Sequence, residues 1–162
     1  TPEFARYAWE NDQKIHALTG QPFSDAYREK VLGQDGGKID SGPATLALTA
    51  VQLGEPEKAL AVLHALQAAR WADGLDITTE PVVADVLRRA GVKEETIAAF
   101  LAEDDAVIEA LNMRATLARD LMESVGARGV PTLLLVTATG VTRVDGRILF
   151  EDVDDVAARA TV

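Results

Sequence analysis

Over the first 125 positions apolar residues recur every three or four places, and Gly or Pro ends each run. That spacing predicts a succession of amphipathic helices. Phe4, Ala8, Ile15 and Leu18 fall close to one face of the first. Thr1 is its cap, Pro2 suits the first helical position and Glu3 sits at the positive end; Gly20, followed by Gln21-Pro22, stops it. Ser24 caps a short helix running to about Leu32, with Gly33 beyond its end. Residues 34–38 read as a polar, Gly-rich loop. Ser41 or Asp40 caps the next helix, which has Pro43 near its start and carries Leu46, Leu48, Val51 and Leu53. Gly54-Glu55-Pro56 breaks the run. A helix with Leu60, Leu63, Leu66 and Gln67 follows, passing through Trp71 to stop before Gly74. Thr78 or Thr79 caps another, holding Val82, Val83, Val86 and Leu87 and closed by Gly91. A short helix over 93–101 (Ile97, Phe100, Leu101) precedes a long one over 105–125. Its stripe is Val107, Ile108, Leu111, Ala115, Ala118, Leu121, Met122 and Val125.

The pattern then changes. Gly129-Val130-Pro131-Thr132-Leu133-Leu134-Leu135-Val136 is a continuous apolar run opened by Gly and Pro, which predicts a buried strand. Pro lacks the N–H a ladder needs, so Pro131 marks where the loop becomes the strand. A second strand is expected within 141–144, a turn at Asp145-Gly146, another extended piece over 147–150 and a last helix over 152–160. A lone hairpin is marginal in water, and three consecutive leucines without alternation call for cover on both faces. The sheet is therefore either tiny and wrapped by helices, or short of its other strands. No 20–50-residue period recurs.

Composition narrows the function classes. Hydrophobic residues make up 48% and charged residues 26%, a globular balance. The net charge of -10 argues against a nucleic-acid or anionic-membrane surface. No apolar run approaches the roughly 20 residues of a membrane span. With no cysteine, these residues hold no thiolate nucleophile, disulfide or Cys-ligated metal. His16 and His64 stand alone on separate helices and read as surface or cap histidines. Asp152, Asp154 and Asp155 lack the Gly and distal Glu of a calcium loop and fit as first-turn acids, as do Glu94-Glu95 and Asp104-Asp105. Tyr7, Trp9, Tyr27 and Trp71 could line a groove, with amphipathic packing the default. There is no nucleophile elbow, Walker loop or dinucleotide fingerprint. Neither a metal nor another cofactor is expected.

Gly129-Val130-Pro131-Thr132 before an apolar strand resembles the cis-proline loop of DsbA-family proteins. Upstream segments add to it in the same order: Leu18-Thr19-Gly20-Gln21-Pro22-Phe23, Asp40-Ser41-Gly42-Pro43-Ala44-Thr45, Leu66-Gln67-Ala68-Ala69-Arg70-Trp71 and Gly74-Leu75-Asp76-Ile77. They look like the helical region of the FrnE-like, protein-disulfide-isomerase branch.

The resemblance implies an α/β, thioredoxin-like fold of DsbA type with a large all-helical insertion. Residues 1–104 would be mainly that insertion. Residues 105–162 would be the C-terminal part of the thioredoxin-like domain: a helix, the proline loop, strands and a last helix. It implies thiol-disulfide oxidoreductase or isomerase activity on a thiol- or disulfide-containing protein or a small thiol. Gly129, Val130, Pro131 and Thr132 would contact substrate, with a cis bond before Pro131 exposing backbone groups for strand-like pairing. Members carry a Cys-x-x-Cys motif at the start of the first helix. Nothing here matches it, so no catalytic residue is assigned in this chain. The expectation is that the strand–Cys-x-x-Cys–helix unit precedes Thr1. Two alternatives stay open: a glutathione-binding relative of kappa-type transferases and chromene-carboxylate isomerases, which uses Ser at the motif position, or a redox-inactive peptide-binding or structural relative. An unpaired sheet edge would favour a homodimer. Nothing visible indicates export, which favours the cytoplasm.

Overall fold

The computed structural model describes residues 1–33, 39–130, 132–138 and 140–146 of the protein. They fall into two units, Thr1–Leu111 and Asn112–Val162.

The first unit is helical throughout. Helix α1 (Pro2–Thr19) begins as its sequence dictates: the Thr1 hydroxyl accepts from the Phe4 amide at 3.3 Å, and Gly20 ends the helix at φ 74°. The next element is a π-helix (Tyr27–Leu32) rather than an α-helix, and the Gly33 amide reaches back to the Arg28 carbonyl at 3.1 Å. Helix α2 (Gly42–Gly54), a 3₁₀ turn (Pro56–Lys58) and α3 (Ala59–Trp71) follow. Then come α4 (Glu80–Arg89), α5 (Glu94–Leu101) and the long α6 (Asp105–Ser124), which continues into the second unit.

Helices α2 to α5 and the start of α6 enclose the main core. Val51, Val62, Val83, Leu87 and Ile97 are completely buried there and Phe100 almost so. Ala47 and Ala50 present α2 to this core with little side-chain bulk. A second cluster gathers Tyr27, Val31 and Leu32 of the π-helix with Trp9, Phe23 and Trp71. Gly74 is needed where these parts meet. Its φ is +66°, and a Cβ there would lie 2.5 Å from the Ala26 carbonyl carbon. No side chain fits that approach.

The structure moves several faces that periodicity alone suggests. No residue of α1 is buried: Phe4 is 40% and Leu18 69% exposed, because the helix meets the π-helix through Ala5, Ala8 and Trp9 instead. On α3 the buried positions are Val62, Leu66 and Ala69, whereas Leu60 is 72% exposed. Those three share a face at i, i+4 and i+7, rotated from the Leu60–Leu63 face. Leu53 of α2 is exposed as well. Of the two caps expected before α2, Asp40 acts, accepting from the Gly42 amide at 2.8 Å, while Ser41 forms no side-chain cap. Before α4, Thr79 forms none, and Asp76 accepts from the Thr78 amide at 3.0 Å.

In the second unit β1 (Leu133–Thr137) pairs antiparallel with β2 (Gly140–Val144), from Leu133 opposite Val144 to Thr137 opposite Gly140. Both expected strands are present, but β1 is not the buried strand that its apolar run predicts: Leu133, Leu134 and Leu135 are half-buried and Val136 is 69% exposed. The expected extended piece over 147–150 and helix over 152–160 lie outside the described residues.

Candidate functional site

The loop between α6 and β1 is positioned by the way α6 stops. Gly126 takes φ 63°, its amide donates to the Glu123 carbonyl at 3.1 Å, and the Ala127 amide donates to the Met122 carbonyl at 2.8 Å. This pair of bonds is a Schellman ending, in which Gly supplies the left-handed residue that an L side chain resists. The chain then runs through Ala127, Arg128, Gly129 and Val130 towards β1. The Thr132 hydroxyl donates to the Gly129 carbonyl at 2.6 Å and ties the loop across Val130. Val130 itself is 84% exposed.

A groove of about 590 Å³ lies along this loop, within the size range of small-ligand pockets. Gly129, Val130 and Thr132 line it together with Arg128 and Arg143. The structure thus brings three of the four sequence-predicted site residues to one groove. Pro131 and the bond before it lie outside the described residues. Arg143 reaches the site through the strand register, in which it stands opposite Leu134. Among the described residues neither Arg128 nor Arg143 forms an ion pair with a carboxylate. Asp145 lines the same groove and has an interaction of its own.

Sequence reasoning did not single out the two arginines. The signal for Arg128 was its place directly before Gly129, in a chain of net charge -10; Arg143 had none, because only pairing with β1 puts it there.

The remaining chemistry-bearing residues take structural places. The His16 Nδ1 is 2.8 Å from the Gln21 carbonyl, beside the end of α1, and His64 is exposed. Of the aromatics, Tyr27 is buried, its ring 6.1 Å from Phe23, and Trp71 lies 5.7 Å from the same ring. Tyr7 is 63% exposed. Among the described residues no three His, Cys, Asp or Glu side chains gather closely enough to hold a metal ion, and no helix is long and apolar enough to cross a membrane.

The family profile described as the DSBA-like thioredoxin domain matches residues 34–156. The chain belongs to this family. Its fold is the DsbA type, mixed α/β and mostly helical, and the family is one of thiol-disulfide oxidoreductases. Among solved structures it is similar to the cytosolic disulfide reductase DsbM from Pseudomonas aeruginosa, with 30% identity and a TM-score of 0.83 over 99% of this chain and 77% of that one. DsbM with GSH matches at 29% identity and a TM-score of 0.76, covering 93% of this chain and 72% of that one. A structure titled "putative protein disulfide isomerase" from Nitrosomonas europaea shares the fold, at 24% identity and a TM-score of 0.72, over 90% of this chain and 67% of that chain. No curated protein matches the chain. The family's cysteine pair has no counterpart in these 162 residues, none of which is Cys.

Proposed function

We propose that Gly129, Val130, Pro131 and Thr132 form the substrate-facing loop of a DsbA-type thiol-disulfide oxidoreductase. In this reading residues 1–104 are the helical insertion and 105–162 the C-terminal part of the thioredoxin-like domain. The substrate is a peptide or small molecule carrying a thiol or disulfide. The thiolate that attacks it comes from outside these 162 residues, since they contain no cysteine.

The observation that carries the reading is the tie from Thr132 to the Gly129 carbonyl, which leaves Val130 exposed over the groove. A loop held in that way presents backbone to an extended peptide, which can pair with it as an added strand. The glutathione-bound DsbM structure supports a small thiol peptide as one occupant.

The test is a titration of the isotopically labelled protein with S-methylglutathione, whose blocked sulfur binds without reacting. Amide shifts should gather at residues 128–130, 132 and 133, and Val130→Glu should weaken binding about tenfold or more. Val130 is exposed, so the substitution leaves the fold intact. Shifts confined to other parts of the chain would sink the assignment.

A further inference from the structure

We infer that the face formed by α1 and the π-helix is a docking groove for a short peptide segment that combines acidic with aliphatic side chains. The groove measures about 890 Å³ and lies wholly within the first unit. Leu32 and Ala5 supply its apolar lining, Trp9 its aromatic surface, and Arg6 and Arg28 its charge.

Three independent features set this face apart. The first is the π-helix itself. Such helices are rare, and where they occur they gather at functional sites. This one is held in place by specific bonds: the Ser24 hydroxyl accepts from the Tyr27 amide at 3.1 Å, and the Tyr27 hydroxyl donates to Asp12 of α1 at 3.1 Å. Tyr27 is 4% exposed, so the contact is a fixed joint between the two elements.

The second feature is what the π-helix carries. The Arg28 guanidinium lies 5.1 Å from the centre of the Trp9 ring. Stacking restrains the guanidinium while leaving its N–H donors available, which is the arrangement that suits planar recognition of a carboxylate.

The third feature is charge. Among the described residues neither Arg6 nor Arg28 forms an ion pair, although the protein has ten more acidic than basic residues. Glu29 also lines the groove, leaving it with one excess positive charge. Two guanidinium groups without ion pairs, set among apolar residues in a groove of net positive charge, match a ligand with carboxylates and an aliphatic side chain. A nucleic acid or an anionic lipid surface would meet the repulsion of the remaining chain, and two cations do not offset it.

Isothermal titration of the protein with acetyl-Glu-Leu-Glu-Leu-amide, and with the same peptide bearing Lys in place of Glu, tests the inference. The acidic peptide should bind saturably and the basic one should not. Each of Arg6→Gln and Arg28→Gln should weaken the acidic peptide about tenfold, as expected for one charge-assisted contact, and added salt should weaken it further. Arg6 is exposed, so its replacement keeps the test independent of any effect of Arg28 on folding. Equal binding of the two peptides, no binding of either, or native affinity in both variants would overturn the inference. None of these outcomes depends on the loop at residues 129–132.

Discussion

The carboxylate of Glu55 accepts a hydrogen bond from the backbone amide of Lys93 at 2.9 Å, across 38 residues of sequence. Lys93 immediately precedes α5, where a backbone N–H has no partner within the helix. In a capping box the third helical residue would satisfy it. Here that residue is Thr96, whose hydroxyl donates to the same Glu55 oxygen at 3.1 Å. The Lys58 ammonium stands 2.6 Å from the other oxygen, an ion pair without good hydrogen-bond alignment, and also donates to the Gly91 carbonyl. One side chain after α2 thus fastens the start of α5.

This arrangement predicts an acid-dependent loss of stability. Lys58 first, then the Lys93 amide and the Thr96 hydroxyl, bring the Glu55 carboxyl down from its ordinary 4.5 to about 2, against the opposing effect of burial. A group with a depressed folded pKa stabilises the fold fully above its unfolded value, and that stability disappears as pH falls through the folded value. The Glu55 contribution is therefore present above about pH 4.5 and lost between there and about pH 2. Glu55→Gln should lower the thermal midpoint at pH 7 and flatten the decline over that acid window. Parallel melting curves for the two proteins across pH 2 to 7 would contradict this.

Gly54 is required by the same joint. A Cβ at this position would lie 2.7 Å from the Thr96 hydroxyl oxygen. Gly54→Ala should therefore destabilise the protein by about 1–3 kcal/mol despite alanine's better helix propensity. In a Thr96→Ala background the obstructing oxygen is gone, so the same substitution should cost distinctly less. Denaturant unfolding of the four proteins forms a double-mutant cycle, and strictly additive effects would refute the proposed contact.

The core face of the helical unit makes a third test. Leu87 is fully buried, whereas Leu60 is 72% exposed. Leu87→Ala should cost about 2–5 kcal/mol through lost burial and the cavity left behind. Leu60→Ala should stay within about 0.5 kcal/mol. Urea midpoints for the pair check the helix faces directly, since the outcome reverses if α3 and α4 pack by their other sides.

Tyr27 and Asp12 yield a fourth. Burial raises the Asp12 pKa above 3.8, with the Tyr27 hydrogen bond and the Arg70 charge working against that rise. The phenol is pushed up to about 12 by burial and by Asp12. Tyr27→Phe removes the donor, so the Asp12 pKa should climb further, and stability should fall by about 1 kcal/mol. A carbon-detected titration of the Asp12 carboxyl measures the first effect and thermal unfolding the second. An unchanged Asp12 titration would show that the hydroxyl does not hold this carboxylate.

The sequence by itself determined the local boundaries of helices and strands. Thr1, Pro2 and Gly20 act within a few residues of the helix they delimit, so α1 begins and ends where the sequence places it. The strands were equally legible, because unbroken apolar residues and a change of period are local signals. The apolar stripes of α4 and α5 were legible too, since Val83, Val86, Leu87, Ile97 and Phe100 are buried as read, whereas tertiary structure decided the buried side of α3. A helix face has no intrinsic direction, and the neighbours of α3 selected Val62, Leu66 and Ala69 over Leu60. It also decided every relationship that spans elements: Glu55 with Lys93, Arg143 with the loop residues, and Arg28 with Trp9. Periodicity carries no information about partners distant in the chain. Those contacts exist only once packing has brought the elements together and removed the side chains from water.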